Sequence, residues 1–462
     1  MTPLKSLLLD AAHRNLLNQQ FWSEDVLRRL INADNVRTHF QLRFKGPVLF
    51  LDDPIEPSDS ETYLQSIVET AKKIFSLLIL CDKESLIFEL LEENLDDSSL
   101  PFTDATKIPE ELMSSPKLHL QWGLIAPLFA RGSELVLQPD TVFPFIAESG
   151  LGPNVERVQI HPEHMSMDAE LAQATDVQNS FTSSIVAIKT IKSHATSDSH
   201  EFRRESDALK ILLKAEIRHP NIVELFSIYT LGTDHCIMMS CGDNDLSKLF
   251  KKDCLAPNFG SSSFYQTKTL WQALPSLASA LDHLHGGCGH VILHNDIKPA
   301  NVIIRSDTFQ LADFGIASLK SVEDTKTDWH GGTYQYSPPE YFNSHGKSGR
   351  AVDIWSLGCV FAEVMTLIVH GWGVKIIEEF KSKRRDGPGT PKPGQTDMVD
   401  DVSFHNNMSE VREWLENLRT HVPNARNDRA IDVIVSMLHE IPGSRPSASG
   451  VLHDLQELSV DS

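Results

Sequence analysis

The chain has 462 residues, 41% of them hydrophobic and 23% charged, a globular balance with length for about three domain-sized units and a large buried core. Its 42 basic and 63 acidic side chains leave a net charge of −21, which argues against nucleic acid or an anionic membrane surface as a default partner. No stretch of 18 consecutive apolar residues occurs, so no transmembrane helix is expected. The cysteines (Cys81, Cys236, Cys241, Cys254, Cys288 and Cys359) form no Cys-x-x-Cys pair, and the apolar run in Met1–Asp10 is too short for a secretory signal core. A reduced intracellular compartment is expected, cytoplasmic with the nucleus as a further option.

Residues 1–140 read as mainly helical. Ala71–Leu80 and Ser85–Leu91 repeat apolar residues at mixed three- and four-residue spacing, the signature of helices with one wide buried face. Pro- and acid-rich connections lie at Asp52–Ser60 and Asp96–Pro101. No catalytic constellation occurs here, which leaves an accessory helical region or a regulator-binding or targeting module. Residues 141–161 read as two strands, Val142–Ile146 and Val155–Ile160, around a turn at Ser149–Pro153 that carries Gly150 and Gly152. Residues 162–182 are polar and read as an insertion. Ile185–Ile191 is a short β-branched strand from which Lys189 projects. Glu201–Leu212 is an amphipathic helix with Phe202, Ala208, Leu209 and Leu212 on one face. Cys236–Gly242 reads as a buried strand ending in a loop, and Asp245 as the cap of the next helix. Leu270–His285 is a long apolar-striped helix, with His283 and His285 assigned to its polar face because no third ligand stands at zinc spacing.

Val291–Ile304 is then a polar loop between two apolar runs, a scaffold for presenting chemical groups. It offers His294, Asp296, Lys298 and Asn301, and Asp313-Phe314-Gly315 follows nine residues later. These residues resemble the catalytic and metal-binding loops of protein kinases, His-Arg-Asp-x-x-x-x-Asn followed by Asp-Phe-Gly, with one departure at Asn295. Other segments match the same family: Val186-Ala187-Ile188-Lys189, Phe202-x-x-Glu205-x-x-x-Leu209, His219–Leu225, Gly331–Glu340, Val352–Val360 and Gly443–Pro446. The resemblance covers about residues 141–457, and the long N-terminal region and the insertion look similar to those of protein kinases from filamentous fungi.

The resemblance implies an α+β, two-lobed protein-kinase-like fold: a small antiparallel β-sheet lobe with one main helix over 141–240, and a larger helical lobe over 241–457. A helical accessory region over 1–140 would precede both. It implies ATP and Mg²⁺ as cofactors and protein substrates bearing Ser or Thr hydroxyls. Asp296 would orient the attacking hydroxyl and accept its proton, and Lys298, placed as in the serine/threonine class, would reach the γ-phosphate. Asn301 and Asp313 would hold Mg²⁺. Lys189 would hold the α- and β-phosphates and pair with Glu205, with Glu201 one turn earlier as the competing helix carboxylate. Gly150 and Gly152 would let backbone N–H groups approach the phosphates, the family's third glycine being replaced by Pro153 or Val155 according to alignment. Val155, Ala187, Met239 and Ile303 would line the adenine site, and the backbones of Ser240 and Gly242 would bond its edge.

Structural roles also follow from the resemblance. His294, Phe314 and Leu209 would form an apolar column. Thr333 would bond Asp296 and Lys298, Glu340 would pair with Arg445, and Asp353 would cap backbone N–H groups of the catalytic loop. Asn295 stands where many family members carry an Arg that binds an activating phosphate, so activity is expected not to depend on a phosphate at Thr325 or Thr327 paired to it. Lys381–Arg385 reads as the start of a solvated loop, with a docking patch as the alternative, and Met408–Leu418 and Ile431–Leu438 as closing helices. The leading expectation is a serine/threonine protein kinase. A pseudokinase scaffold, suggested by the poor glycine loop and Asn295, and a small-molecule kinase of similar fold are the alternatives.

Overall fold

The computed structural model describes residues 4–44, 57–103, 107–152, 154–166, 184–192, 196–214, 218–251, 267–287, 289–320, 327–328, 332–342, 347–371, 374–385 and 401–460. The chain divides into two compact units that interleave along the sequence. One comprises Met1–Gln173, Phe181–Thr190 and Phe226–Met238; the other comprises Ala174–Ser180, Ile191–Leu225 and Met239–Ser462.

The first unit begins with helices α1 (Leu4–Asp10), α2 (Glu24–Leu30), α3 (Ala33–Phe44), α4 (Pro57–Glu69), α5 (Lys72–Cys81), α6 (Ile87–Glu92), α7 (Glu110–Met113) and α8 (Gln121–Leu124). The α5 and α6 helices fall where the apolar spacing predicts them. All residues from Ile74 to Cys81 are buried in α5, and Leu8, Trp22, Leu27, Ile31 and Leu112 join it in one helical core. Two short strands, β1 (His13–Arg14) and β2 (Gln20–Phe21), pair between α1 and α2. The Ser23 hydroxyl then caps α2 by accepting the Val26 N–H at 3.2 Å, supplying a partner for one orphan donor at the helix start.

Strands β3 (Phe129–Ala130), β4 (Ser133–Leu137), β5 (Phe145–Gly152), β6 (Val155–Ile160), β7 (Met165–Ser166), β8 (Ile185–Ile191), β9 (Leu225–Leu231) and β10 (Asp234–Ser240) follow. Six form one sheet in the order β4-β9-β10-β8-β6-β5, and β3 pairs in parallel with β7. One side of the sheet buries Val158, Ile160, Val186, Ile188, Phe226 and Met238. One expectation changes here: the sheet is not purely antiparallel, because β4, which lies within the mainly helical residues 1–140, runs parallel to β9 from Ser133↔Ser227 to Leu137↔Leu231. Strand β4 alternates half-buried Ser133, Leu135 and Leu137 with exposed Glu134 and Val136, as an edge strand covered on one face does. The expected turn at Ser149–Pro153 also shifts. Ser149 to Gly152 continue β5, and the chain reverses between Gly152 and Val155 with Asn154 in the left-handed region at φ 57°.

The second unit contains α9 (Thr196–Leu212), β11 (Asn244–Asp245), α10 (Leu246–Phe250), α11 (Thr267–Asp282), β12 (Val291–Leu293), β13 (Val302–Arg305), β14 (Thr308–Leu311), β15 (Ser318–Lys320), β16 (Thr327–Asp328) and β17 (Lys347–Ser348). Helices α12 (Arg350–His370), α13 (Val374–Arg385), α14 (Met408–His421), α15 (Ala425–Met437) and α16 (Ala448–Val460) complete it. The Asp245 carboxylate caps α10 by accepting the Lys248 N–H at 2.9 Å, as its position predicts. Strands β13 and β14 form a hairpin with β11 on its edge, and β12 pairs with β15. Among the described residues one helix, α12, is long and apolar enough to cross a membrane, and its apolar window is wholly buried inside the unit.

The basic run Lys381–Arg385 is not a solvated loop. It ends helix α13, and Arg384 is only 1% exposed, stacked 4.4 Å from the Phe380 ring centroid and 4.1 Å from that of Phe404. Its guanidinium donates to Glu363 Oε1 at 3.3 Å and to the Val402 carbonyl at 3.1 Å. Burial pushes the Glu363 carboxyl up while Arg384 pulls it back, and burial with the nearby Glu363 pushes the Tyr336 phenol well up. The Gly- and Pro-rich stretch 386–400 and most of the insertion at 162–182 lie outside the described residues, as do Pro153, Thr325, Cys254 and Cys288.

Candidate active site

The polar loop lies between β12 and β13, two strands whose residues Val291, Ile292, Leu293, Val302 and Ile304 are buried. Beneath it stands Asp353, in the first turn of α12 and fully buried. Its Oδ2 accepts the His294 N–H at 2.9 Å and its Oδ1 the Asn295 N–H at 2.8 Å. Oδ2 also lies 2.9 Å from His285 Nε2. His285 is therefore not on a polar face, as helical spacing suggests, but buried and bonded to the loop's anchor. The helix ends at Asp282, and an irregular turn at His283–Gly287 carries His285 inward.

His294 Nε2 lies 3.0 Å from the Ala312 carbonyl, and its ring packs 5.0 Å from that of Phe314. Leu209 is buried on α9. Asn295 adopts φ 65°, a conformation asparagine tolerates better than most residues. Its carboxamide donates to the carbonyls of Leu293 at 3.3 Å and Ile316 at 3.0 Å, and to Ser318 Oγ at 3.2 Å. A neutral amide thus ties the loop to the segment after Asp313-Phe314-Gly315.

Asp296 lies at the centre of a converging set. Its Oδ1 accepts the Thr333 N–H at 2.9 Å and the Thr333 hydroxyl at 2.8 Å. Its Oδ2 accepts from Lys298 Nζ at 2.6 Å and from Asn301 Nδ2 at 3.2 Å. Lys298 Nζ also donates to Thr333 Oγ1 at 2.8 Å. The four residues therefore fix one another, with both Asp296 oxygens committed to charge-assisted bonds. Asn301 Nδ2 donates further to the Asp296 carbonyl at 2.9 Å, which leaves the amide oxygen as the atom free to meet a cation. The Ala312 N–H bonds the Asn301 carbonyl at 2.9 Å and so holds the two loops side by side, with Asp313 at φ 67°. A carboxylate and an amide oxygen are the donor chemistry a hard divalent ion takes.

Other residues of this unit that the resemblance assigns to the site can be placed one by one. Met239 and Ser240 are buried at the end of β10. The Ser240 N–H is already taken by the Glu224 carbonyl at 2.8 Å, so the expectation that the Ser240 backbone bonds an adenine edge narrows to its carbonyl. Gly242 must be glycine, because an added Cβ would sit 2.0 Å from Ile303 Cγ2 and 2.8 Å from the Ile304 carbonyl. On α9, Glu205 is fully buried, whereas half-buried Glu201 faces Gly315, its Oε1 3.0 Å from where a Cβ would stand. Arg445 grips Glu340 through two bonds of 2.6 and 2.8 Å and lies over the Trp355 ring.

The remaining predicted residues belong to the first unit. Gly152 pairs with Val155, which pairs with Lys189, so the three form one row across β5, β6 and β8. Residues paired across strands project to the same face, and so do residues two apart along a strand. Val155, Ala187 and Lys189 therefore share the face opposite core residues Val186 and Ile188. An added Cβ at Gly150 or Gly152 would meet nothing within 4 Å, which leaves the backbone of this strand bare.

Residues 170–455, more than half of the chain, match the Protein kinase domain family. That match begins after β5 and β6. The Serine/threonine-protein kinase crk1 of Schizosaccharomyces pombe is 29% identical over 280 residues, covering 58% of this chain and 75% of that protein. The Cell division control protein 2 homolog 3 of Trypanosoma brucei brucei is 26% identical over 276 residues, covering 59% of this chain and 83% of that protein. Cyclin-dependent kinase-like 4 of Mus musculus is 30% identical over 191 residues, covering 41% and 51% respectively. These relatives support the serine/threonine kinase grouping and do not bear on the resemblance to filamentous-fungal kinases. With its catalytic-loop geometry and this match, the chain belongs to the protein kinase family.

Proposed function

We propose that this protein is an active serine/threonine kinase that transfers the γ-phosphoryl group of ATP to protein hydroxyls. The observation that carries this reading is the closed set of bonds among Asp296, Lys298, Asn301 and Thr333. A carboxylate held by four donors is oriented before substrate arrives, which is how positioning lowers a phosphoryl-transfer barrier. Asp296 aligns the attacking Ser or Thr hydroxyl and takes its proton as the new P–O bond forms and the bond to the β-phosphate oxygen breaks. Lys298 offsets charge on the moving phosphoryl group. Mg²⁺, when bound, would neutralise the β- and γ-phosphate oxygens. Asn301 and Asp313 are the residues that would hold it. Val155, Ala187, Met239, Gly242 and Ile303 are assigned to adenine, and Gly150, Gly152 and Lys189 to the phosphates. Glu205 keeps the role the family resemblance gives it, as does the accessory role of residues 1–140.

The scaffold alternative draws on two features, a hairpin with only Gly150 and Gly152 before Val155 and the Asn295 that stands where many family members carry an Arg. Transfer of label from ATP to a generic substrate separates the two readings. Asp296→Asn should lower the rate by about 10³-fold. Transfer by the unaltered protein no faster than by that variant, despite nucleotide binding, would establish the scaffold.

A further inference from the structure

Far from the catalytic loop in sequence, the first unit brings together His13, His161 and Glu163, and one ligand atom from each lies within 4.8 Å of the others. His13 lies in β1, among the N-terminal helices. His161 and Glu163 directly follow β6, at the end of the sheet. The cluster thus spans 148 residues of sequence between His13 and His161.

Hydrogen bonding does not account for the arrangement. His13 Nε2 and His161 Nδ1 are buried atoms with no hydrogen-bond partner among the described residues. The two imidazole rings lie 4.0 Å apart, centroid to centroid, tilted by 38°. His13 Nε2 meets Glu163 Oε2 at 3.4 Å, an ion-pair contact when the imidazole is protonated but without the geometry of a hydrogen bond. Buried ring nitrogens without partners are costly, and native proteins keep few of them without a reason. A cation supplies one. Around tetrahedral zinc, with bonds near 2.0–2.1 Å, neighbouring ligand atoms lie about 3.3 Å apart. That matches the spacing of His13 Nε2 from Glu163 Oε2.

The surroundings resemble a built site. The Ser23 hydroxyl donates to the same Glu163 Oε2 while accepting the Val26 N–H, so the cap of α2 aims the carboxylate. The Phe21 ring meets His161 edge-on at 5.6 Å and lies 5.4 Å from His13, fixing both imidazoles from one side. The Glu163 side chain is 39% exposed, which leaves the other side open to water as a fourth ligand.

We propose that His13, His161 and Glu163 bind a single Zn²⁺ ion that clips the β1–β2 hairpin to the end of β6. The two imidazoles are borderline ligands, and with one carboxylate they make a set that suits zinc better than Mg²⁺ or Ca²⁺. This site is separate from the residues assigned to Mg²⁺.

The test is a zinc titration of metal-free full-length protein against a chromophoric chelator, read beside its thermal unfolding. One zinc per chain should bind, and it should raise the unfolding temperature. The double variant His13→Gln/His161→Gln should lose that zinc and the temperature shift, and Glu163→Gln should bind more weakly by roughly 10-fold or more. Circular dichroism of each metal-free variant verifies that it is folded. Cobalt substitution of the unaltered protein gives a readout independent of the variants, since four-coordinate Co²⁺ has intense visible bands. Equal zinc binding by unaltered protein and double variant would overturn the proposal, because the ion would then sit on other side chains. Absence of both stoichiometric zinc and four-coordinate cobalt bands in the unaltered protein would overturn it equally.

Discussion

The loop of residues 294–301 and the hairpin carrying Gly150 and Gly152, both proposed to meet a charged ligand, are built by opposite means. In residues 294–301 side chains and backbone bond one another and the buried Asp353 beneath, so the geometry exists before any ligand. At Gly150 and Gly152 an added Cβ would meet nothing within 4 Å, so the strand is open at those two positions. Preorganisation is built from many specific residues, and access from their absence. The first leaves a dense sequence record and the second a thin one.

Breaking the loop's support should show how much of its order comes from below. Asp353→Asn turns an amide donor toward backbone N–H groups and weakens the His285 contact, and should cost about 3–5 kcal/mol in urea unfolding. A loss under about 1 kcal/mol would mean the loop holds itself. Acid approaches the same segment from the side of Thr333 and Tyr334. His405 stacks on Phe342, 4.5 Å between centroids, and meets Tyr334 edge-on. Burial lowers its pKa from 6.5 to about 4, against a smaller opposing pull from Asp401. The unfolded chain therefore binds the proton first as pH falls. The stability from neutral His405 is complete above pH 6.5 and drains as pH drops toward 4, on the order of 3 kcal/mol. His405→Phe should flatten that part of the stability profile; an unchanged slope would place the acid sensitivity elsewhere.

Asn295→Asp probes the uncharged tie to Ile316 and Ser318. A carboxylate facing two carbonyl oxygens should cost about 1–3 kcal/mol and lower the transfer rate. Thr325→Ala, by contrast, should leave transfer unchanged, and a large loss there would show that a phosphate matters after all. A small effect on stability belongs to the hairpin. Gly150→Ala and Gly152→Ala should alter stability by no more than about 0.5 kcal/mol, since their new methyl groups meet nothing. A raised KM for ATP with that unchanged stability would place the phosphates over the strand. An unchanged KM would place the phosphates away from Gly150 and Gly152.

The same contrast explains what could be read from the chain. Asp296, Lys298 and Asn301 were legible because the family motif they resemble holds those residue types at short, fixed spacing, whereas Thr333, 37 residues from Asp296, followed only from the wider family resemblance. Helix α5 was legible because a buried helix is written in local apolar periodicity. Strand β4 was not, since five residues with Val136 pointing to solvent carry little hydrophobic signal, and its partner β9 lies far downstream. Arg384 followed the rule that basic runs are solvated until two phenylalanines and Glu363 closed around it, a tertiary fact no local pattern records. Helical spacing put His285 outward, but an irregular turn after Asp282 reversed it. The His13, His161 and Glu163 cluster could not be found by motif, because its halves meet only once the helical region and the sheet have folded together.

The parallel pairing of β4 with β9 has a consequence for synthesis and for cutting the gene. Ser133 and Ser227 share hydrogen bonds across 94 residues, so β4 leaves the ribosome long before its partner exists. During that interval Leu135 and Leu137 have no sheet to cover them, a window in which chaperones or neighbouring chains can compete. A fragment started at residue 141, the boundary expected from the sequence, would lack β4 permanently. Its β9 would become a naked sheet edge, open to pairing with other copies. Such a fragment should aggregate more readily than one begun before Phe129, whatever the state of its catalytic loop.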